Sequence, residues 1–277
     1  MSDADAMIAA LRTGHDSLAG LVSGLSDVEL AGPSGATEWD ISQVLSHLGS
    51  GAEISRAGLL AAIDGKPNPG GDFNRSVWDQ WDAMGRRERA TRFVRENGVT
   101  TELYESLDTA TRESLRIDMG FLPAPVDVAT AARFRLSDFT LHSWDVRVAF
   151  DEHATLADDA AGLLAGGVGD LAGWLGKPEP LGGKNAVIQV TTAQPALDLA
   201  LRLGDQISVG SGVVEAADGT LALPAESWVR LVTGRLAPKY TPAGIAATGA
   251  ADLDLLRQVF PGFEARLLGT GGPRYVT

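Results

Sequence analysis

"RLSDFTLHSWDV", residues 135–146, places Asp138, His142 and Asp145 at spacings of four and three within an otherwise apolar stretch. Residues at i, i+4 and i+7 project from one face of an α-helix. Phe139, Val146 and Phe150 fall on the neighbouring stripe and read as core. A carboxylate and an imidazole one turn apart, bordering an apolar face, form half of a metal site of the kind built inside helical bundles. The other half has to come from a different helix.

Upstream of that stretch the chain reads as helices in series. Residues 3–23 carry Met7, Ile8, Leu11, Leu18 and Leu21 at helical spacing. A second helix begins at "WDISQVLSHL", with Asp40 as N-cap and Ile41, Val44, Leu45 and Leu48 as its buried stripe. "DGKPNPGGD" (64–72) and "GFLPAPVD" (120–127) are loops by their Gly and Pro content. Residues 74–117 are mostly helical, with breaks expected near Gly85 and Gly98, and a fourth helix follows from about 128 to 150. Four helices with short connections predict a bundle.

The texture changes downstream. After a helix over 156–174, the linker "LGKPEPLGGKN" (175–185) leads into short strands at "AVIQVT", "LDLALRL", "QISVGS" and "GTLAL". Helices follow around 224–233 and 251–259, separated by a further strand at "GIAATG". The expected fold class is α+β, with a helical-bundle domain over 1–155 and a small α/β domain over 156–277.

Composition narrows the partners. The chain has 277 residues and a net charge of −13, which argues against nucleic acid or an anionic membrane as partner. No stretch approaches the ~20 apolar residues of a membrane span. The first residues are acidic where a secretory signal would be basic, so a cytoplasmic protein is expected. Cysteine is absent, which removes disulfides, thiolate zinc sites and a cysteine nucleophile together. Any metal is held by nitrogen and oxygen, and any thiol chemistry uses a thiol from outside.

Four histidines remain, at 15, 47, 142 and 153. His15 and His153 stand among acidic residues and read as surface. His47 lies three residues after Val44, at the margin of the buried stripe, and points towards the bundle interior. Facing Asp138 and His142, it would complete a shell of two imidazoles and one carboxylate with open positions. The competing and commoner reading is a hydrogen-bonded structural histidine, with Asp138 and Asp145 as solvated acids on the helix surface. Spacing alone does not choose.

"EWDISQVLSHL", followed about ninety residues later by "RLSDFTLHSWDV", resembles the mycothiol-dependent maleylpyruvate isomerase family of the DinB-like metalloenzyme superfamily. The positions that carry the resemblance are Trp39, His47, Asp138, His142 and Asp145. "LALPAESWVRLVTGR" and "GIAATGAADLDLLRQVFPGF" are similar to the family's smaller C-terminal domain, which is like sterol carrier proteins. The resemblance implies a DinB-like four-helix bundle that holds a divalent metal, zinc, on His47, Asp138 and His142. In the family the carboxylate ligand is usually glutamate, and Asp138 is one methylene shorter.

The resemblance further implies mycothiol, an actinobacterial low-molecular-weight thiol, as co-substrate, with the metal favouring its thiolate. The expected activity is isomerisation of, or S-transfer to, a small electrophilic substrate. A non-catalytic small-molecule-binding protein of the same fold is the alternative. Asp145 would orient a ligand or contact the thiol's amine, or else pair with Arg147. Arg235, in "VTGRLAP", would grip substrate carboxylates as a planar guanidinium does, or else serve a helix C-terminus. The sequence leaves the substrate and the oligomeric state open.

Overall fold

The computed structural model describes residues 2–262. Phe263, the last residue of the C-terminal motif, and the remainder of the 156–277 segment lie outside the described residues. The described residues divide into two compact units at the Asp151–Glu152 junction. The architecture is α+β, helical in the first unit and built on a sheet in the second.

The first unit contains α1 (Asp3–Gly24), α2 (Asp27–Leu30), α3 (Ile41–Ile63), α4 (Gly70–Asp82), α5 (Arg86–Ser106), α6 (Thr109–Ser114) and α7 (Val128–Arg147), with β1 (Arg116–Ile117) and β2 (Val126–Asp127) paired before α7. The long helices α1, α3, α5 and α7 form the bundle. α1 packs on α5 and α7, and α3 packs on the same two, so α3 and α7 are neighbours. Their starts are encoded locally. Asp40 accepts from Gln43 N–H while its own N–H donates to the Gln43 side chain, and Asp127 accepts from Thr130 N–H. The expected stripe of α3 is the observed one: Val44, Leu45 and Leu48 are fully buried and Ile41 is 2% exposed.

Several local expectations give way to packing. Gly85 does break the helices, capping α5, but Gly98 stays helical inside it. A side chain at Gly98 would meet the His15 ring, its Cβ lying 3.1 Å from Nε2. His15 is therefore not a surface residue. It sits on α1 between Leu11 and Leu18, is 6% exposed and accepts from the Asn97 amide at 3.0 Å. Phe150 is not core, because α7 ends at Arg147 and leaves it 44% exposed. The 64–72 loop is shorter than expected, since α4 starts at Gly70 just after Pro69.

Gly49 has a sharper role. It lies buried on α3 against the fully buried indole of Trp81 on α4, and a Cβ there would penetrate the six-membered ring. In an exposed helix, Gly→Ala adds about 1 kcal/mol of stability. Here Gly49→Ala is expected to destabilise by about 1–3 kcal/mol through overpacking. Chemical denaturation of both proteins decides the sign, and a stabilised variant contradicts this packing.

The second unit begins with α8 (Asp158–Ala165) and α9 (Val168–Leu175). One helix was expected over 156–174, but the Gly166–Gly167 pair interrupts it, consistent with glycine's poor helix propensity. β3 (Ala186–Ala193), β4 (Leu197–Leu203), β5 (Ser208–Ser211), β6 (Gly219–Pro224) and β7 (Ala246–Gly249) form one sheet in the order β5-β4-β3-β6-β7. Only β3 and β6 run parallel. Ile188 and Val190 on β3 and Leu221 and Leu223 on β6 point to one buried face at period two. α10 (Ala225–Val232) packs on β3 and β6, and α11 (Leu253–Val259) closes the unit.

Candidate metal centre

α3 and α7 bring His47 and Asp138 together across the bundle. His47 Nε2 lies 2.8 Å from Asp138 Oδ1, and His142 Nε2 lies 3.8 Å from the same oxygen. One ligand atom from each of His47, Asp138 and His142 falls within a 4.8 Å cluster, the one such cluster among the described residues. The side chains are 7%, 19% and 17% exposed, so the group is sheltered but reachable. The imidazoles stand edge to face at 4.4 Å between centroids. Trp39, just before the start of α3, lies tilted against both rings, at 5.4 Å and 5.9 Å.

The chemistry of this donor set suits a divalent cation. Asp145 is fully buried, and its Oδ2 lies 2.8 Å from His142 Nδ1. A carboxylate there fixes the tautomer with the proton on Nδ1 and leaves the Nε2 lone pair towards Asp138 and His47. This carboxylate–histidine pairing is the usual partner of a ligating imidazole. Asp145 is therefore not a solvated surface acid. The segment before α3 presses on it closely: Gly35 N–H donates to the Asp145 carbonyl at 2.7 Å, and a Cβ at Gly35 would lie 3.0 Å from Asp145 Cα.

Burial by itself would raise the Asp138 carboxyl, but His47, His142 and Arg135 outweigh that effect and hold it well below the usual carboxylate range. It is ionised at neutral pH, as a ligand must be. Packing brings Oδ1 of the shorter aspartate to hydrogen-bond distance of His47.

Beside His47 a pocket opens, lined also by Trp39, Gln43, Ser46, Trp78 and Arg89. Arg89 is anchored by its donation to the Trp81 and Asp82 carbonyls. Sequence reasoning missed Trp78 and Arg89, which have no short-range pattern linking them to His47. It also missed Arg135, although its i, i+3 relation to Asp138 is visible in the opening stretch. Arg235 lies in the second unit, in the turn after α10, where its N–H donates to the Arg230 carbonyl and Nη1 to that of Thr233.

Residues 11–147 match the profile of the mycothiol maleylpyruvate isomerase N-terminal domain. The match runs through the four bundle helices to the end of α7 and includes every residue of the cluster. The helical unit is thus a mycothiol maleylpyruvate isomerase N-terminal domain. Among solved structures, its fold is similar to that of a mycothiol-dependent maleylpyruvate isomerase at 10% identity and a TM-score of 0.62, covering 90% of this chain and 94% of that one. A histidine-to-alanine mutant of a mycothiol-dependent maleylpyruvate isomerase is similar at 10% identity and a TM-score of 0.60, with the same coverage of both chains. A comparison with curated proteins gives no match.

The buried His15 is expected to make this fold acid-sensitive at a defined position. Burial, then the neighbouring Arg12 and Arg135 charges, hold its pKa below the ordinary 6.5 against the opposing pull of Asp16 and Glu102. The unfolded chain therefore binds a proton here at a higher pH than the folded one, and stability rises with pH across that interval. The contribution is complete above about pH 6.5 and is lost as the pH falls through the folded value. Denaturation midpoints from pH 7 to pH 5 should fall less steeply for His15→Gln than for wild type. Parallel curves would mean His15 does not carry the effect.

Proposed function

We propose that this protein is a divalent-metal enzyme, loaded with zinc, that uses mycothiol to isomerise a small unsaturated acid or to alkylate the thiol with a small electrophile. The observation that carries this reading is the convergence of His47, Asp138 and His142 with Asp145 behind His142. His47, Asp138 and His142 would hold the ion, which when bound lowers the pKa of a thiol and favours its thiolate at neutral pH.

The chain's residues supply the rest. Asp145 keeps His142 in one tautomer, Trp39 shields both imidazoles, and the pocket of Trp39, Trp78, Gln43 and Ser46 offers apolar faces and hydrogen bonds to the body of a sugar-bearing thiol. In the isomerase direction, the thiol sulfur adds to one alkene carbon while the electron pair moves into the conjugated carbonyl. The resulting single bond rotates, and loss of the thiolate restores the double bond in the other geometry. No net oxidation occurs and the thiol is regenerated. In the transferase direction, sulfur displaces a leaving group and the carbon–sulfur bond remains. Arg235 is assigned the substrate carboxylates, on the family resemblance and the bidentate capacity of its guanidinium. A free-thiol co-substrate belongs in a reducing compartment, in agreement with a cytoplasmic location.

A second reading has one observation in its favour. His47 and Arg135 each hold one oxygen of Asp138, so the carboxylate is satisfied by protein alone. A non-catalytic binding protein of this fold could use the same contacts. Metal analysis of the purified chain, followed by turnover of maleylpyruvate and a panel of electrophiles with mycothiol, separates the two. Stoichiometric metal with thiol-dependent turnover supports the enzyme. Absence of metal after supplementation supports the binder.

A further inference from the structure

Arg135 is a buried charge that touches three helices of the bundle. It is 6% exposed, on α7 one turn before Asp138. Nη1 donates to Asp138 Oδ2 at 2.9 Å, and Nη2 donates both to the Leu48 carbonyl at 2.9 Å and to Asn97 Oδ1 at 2.5 Å. Asn97, on α5, is held in turn by His15 on α1 through its amide nitrogen. One guanidinium thus joins the main chain of α3, immediately after His47, to the carboxylate on α7. Gly51 leaves room for this, since a Cβ there would stand 3.2 Å from Arg135 Nη1.

The two oxygens of Asp138 are divided by these contacts. Oδ2 goes to Arg135, and Oδ1 is turned towards His47 and His142. An aspartate has one fewer torsion than glutamate with which to find this orientation, so an external clamp has more influence over it. We infer that Arg135 is a positioning residue: it sets the spacing of the two ligand-bearing helices and presents a single oxygen of Asp138 to a divalent cation. The inference rests on the metal reading above.

Electrostatics and positioning predict opposite signs. If Arg135 were only a counter-charge, its removal would leave the site more negative and bind a dication more tightly. If it positions the carboxylate, its removal weakens binding by the 10–100-fold typical of outer partners of metal ligands. Cobalt(II) titration of the full chain, followed by its visible ligand-field spectrum and by circular dichroism, distinguishes them. Arg135→Met is expected to bind cobalt 10–100-fold more weakly than wild type, with an altered band shape. Arg135→Lys, which keeps the charge and protects the fold but loses the planar fork, is expected to recover only part of that loss.

Cobalt affinity equal to or tighter than wild type in Arg135→Lys overturns the inference, whether or not Arg135→Met folds. If wild type itself takes up no cobalt, the metal reading falls and the inference falls with it. If wild type binds and the Arg135 variants bind as tightly, only the inference fails.

Discussion

Replacing His47 with alanine is expected to abolish stoichiometric metal retention while leaving the helical circular dichroism largely intact. Catalytic zinc sites typically have three protein ligands, so losing one should reduce content from about one ion per chain to near zero after desalting. The fold survives because the core of α3 is carried by Val44, Leu45 and Leu48, which occupy neighbouring stripes and are fully buried. His142→Ala is expected to behave alike, with one further cost. It removes the His142 hydrogen bond of the fully buried Asp145 carboxylate, so its melting point should fall below that of His47→Ala. Elemental analysis of both variants and wild type checks the assignment. Either variant that still holds stoichiometric metal removes that histidine from the ligand set.

Turnover, in turn, should depend completely on added thiol. The chain contains no cysteine, so no residue can replace the co-substrate, and reactions without mycothiol should match the buffer blank. A free thiol of pKa about 8.5 is roughly 99% protonated at pH 6.5. The metal-loaded protein should nevertheless keep most of its rate there, because the thiolate form is favoured in the site. Glutathione should substitute poorly, as it lacks the sugar that the Trp39 and Trp78 pocket is proposed to receive. Initial rates with mycothiol, glutathione and no thiol, for wild type and His47→Ala, make the comparison. Equal rates for the two proteins would assign the reaction to solution chemistry and favour the binding-protein reading.

How much of this was legible in residue order is clearest from particular positions. The helices over 3–23 and from Asp40 were readable because their caps and apolar repeats are local, and the α3 stripe is buried as its periodicity required. The strands of the second unit were readable from period-two alternation bounded by glycines and prolines. Asp138, His142 and Asp145 shared a helix face by spacing alone. Their joining to His47 was an inference from resemblance, since helix period says nothing about which helix lies opposite.

What tertiary structure alone decided is who faces whom. His15 looked solvated among charged neighbours, yet packing α1 on α5 buried it against Asn97. Gly98 looked like a helix break and instead makes room for that ring. Arg135 looked like one basic residue among many on a helix, and became the clamp between α3 and α7 only when the Leu48 carbonyl and Asn97 were brought to it. Local signals act over one or two turns and are written in neighbouring residues. The contacts that complete this site join residues 38 to 91 positions apart, and only the bundle's packing specifies them.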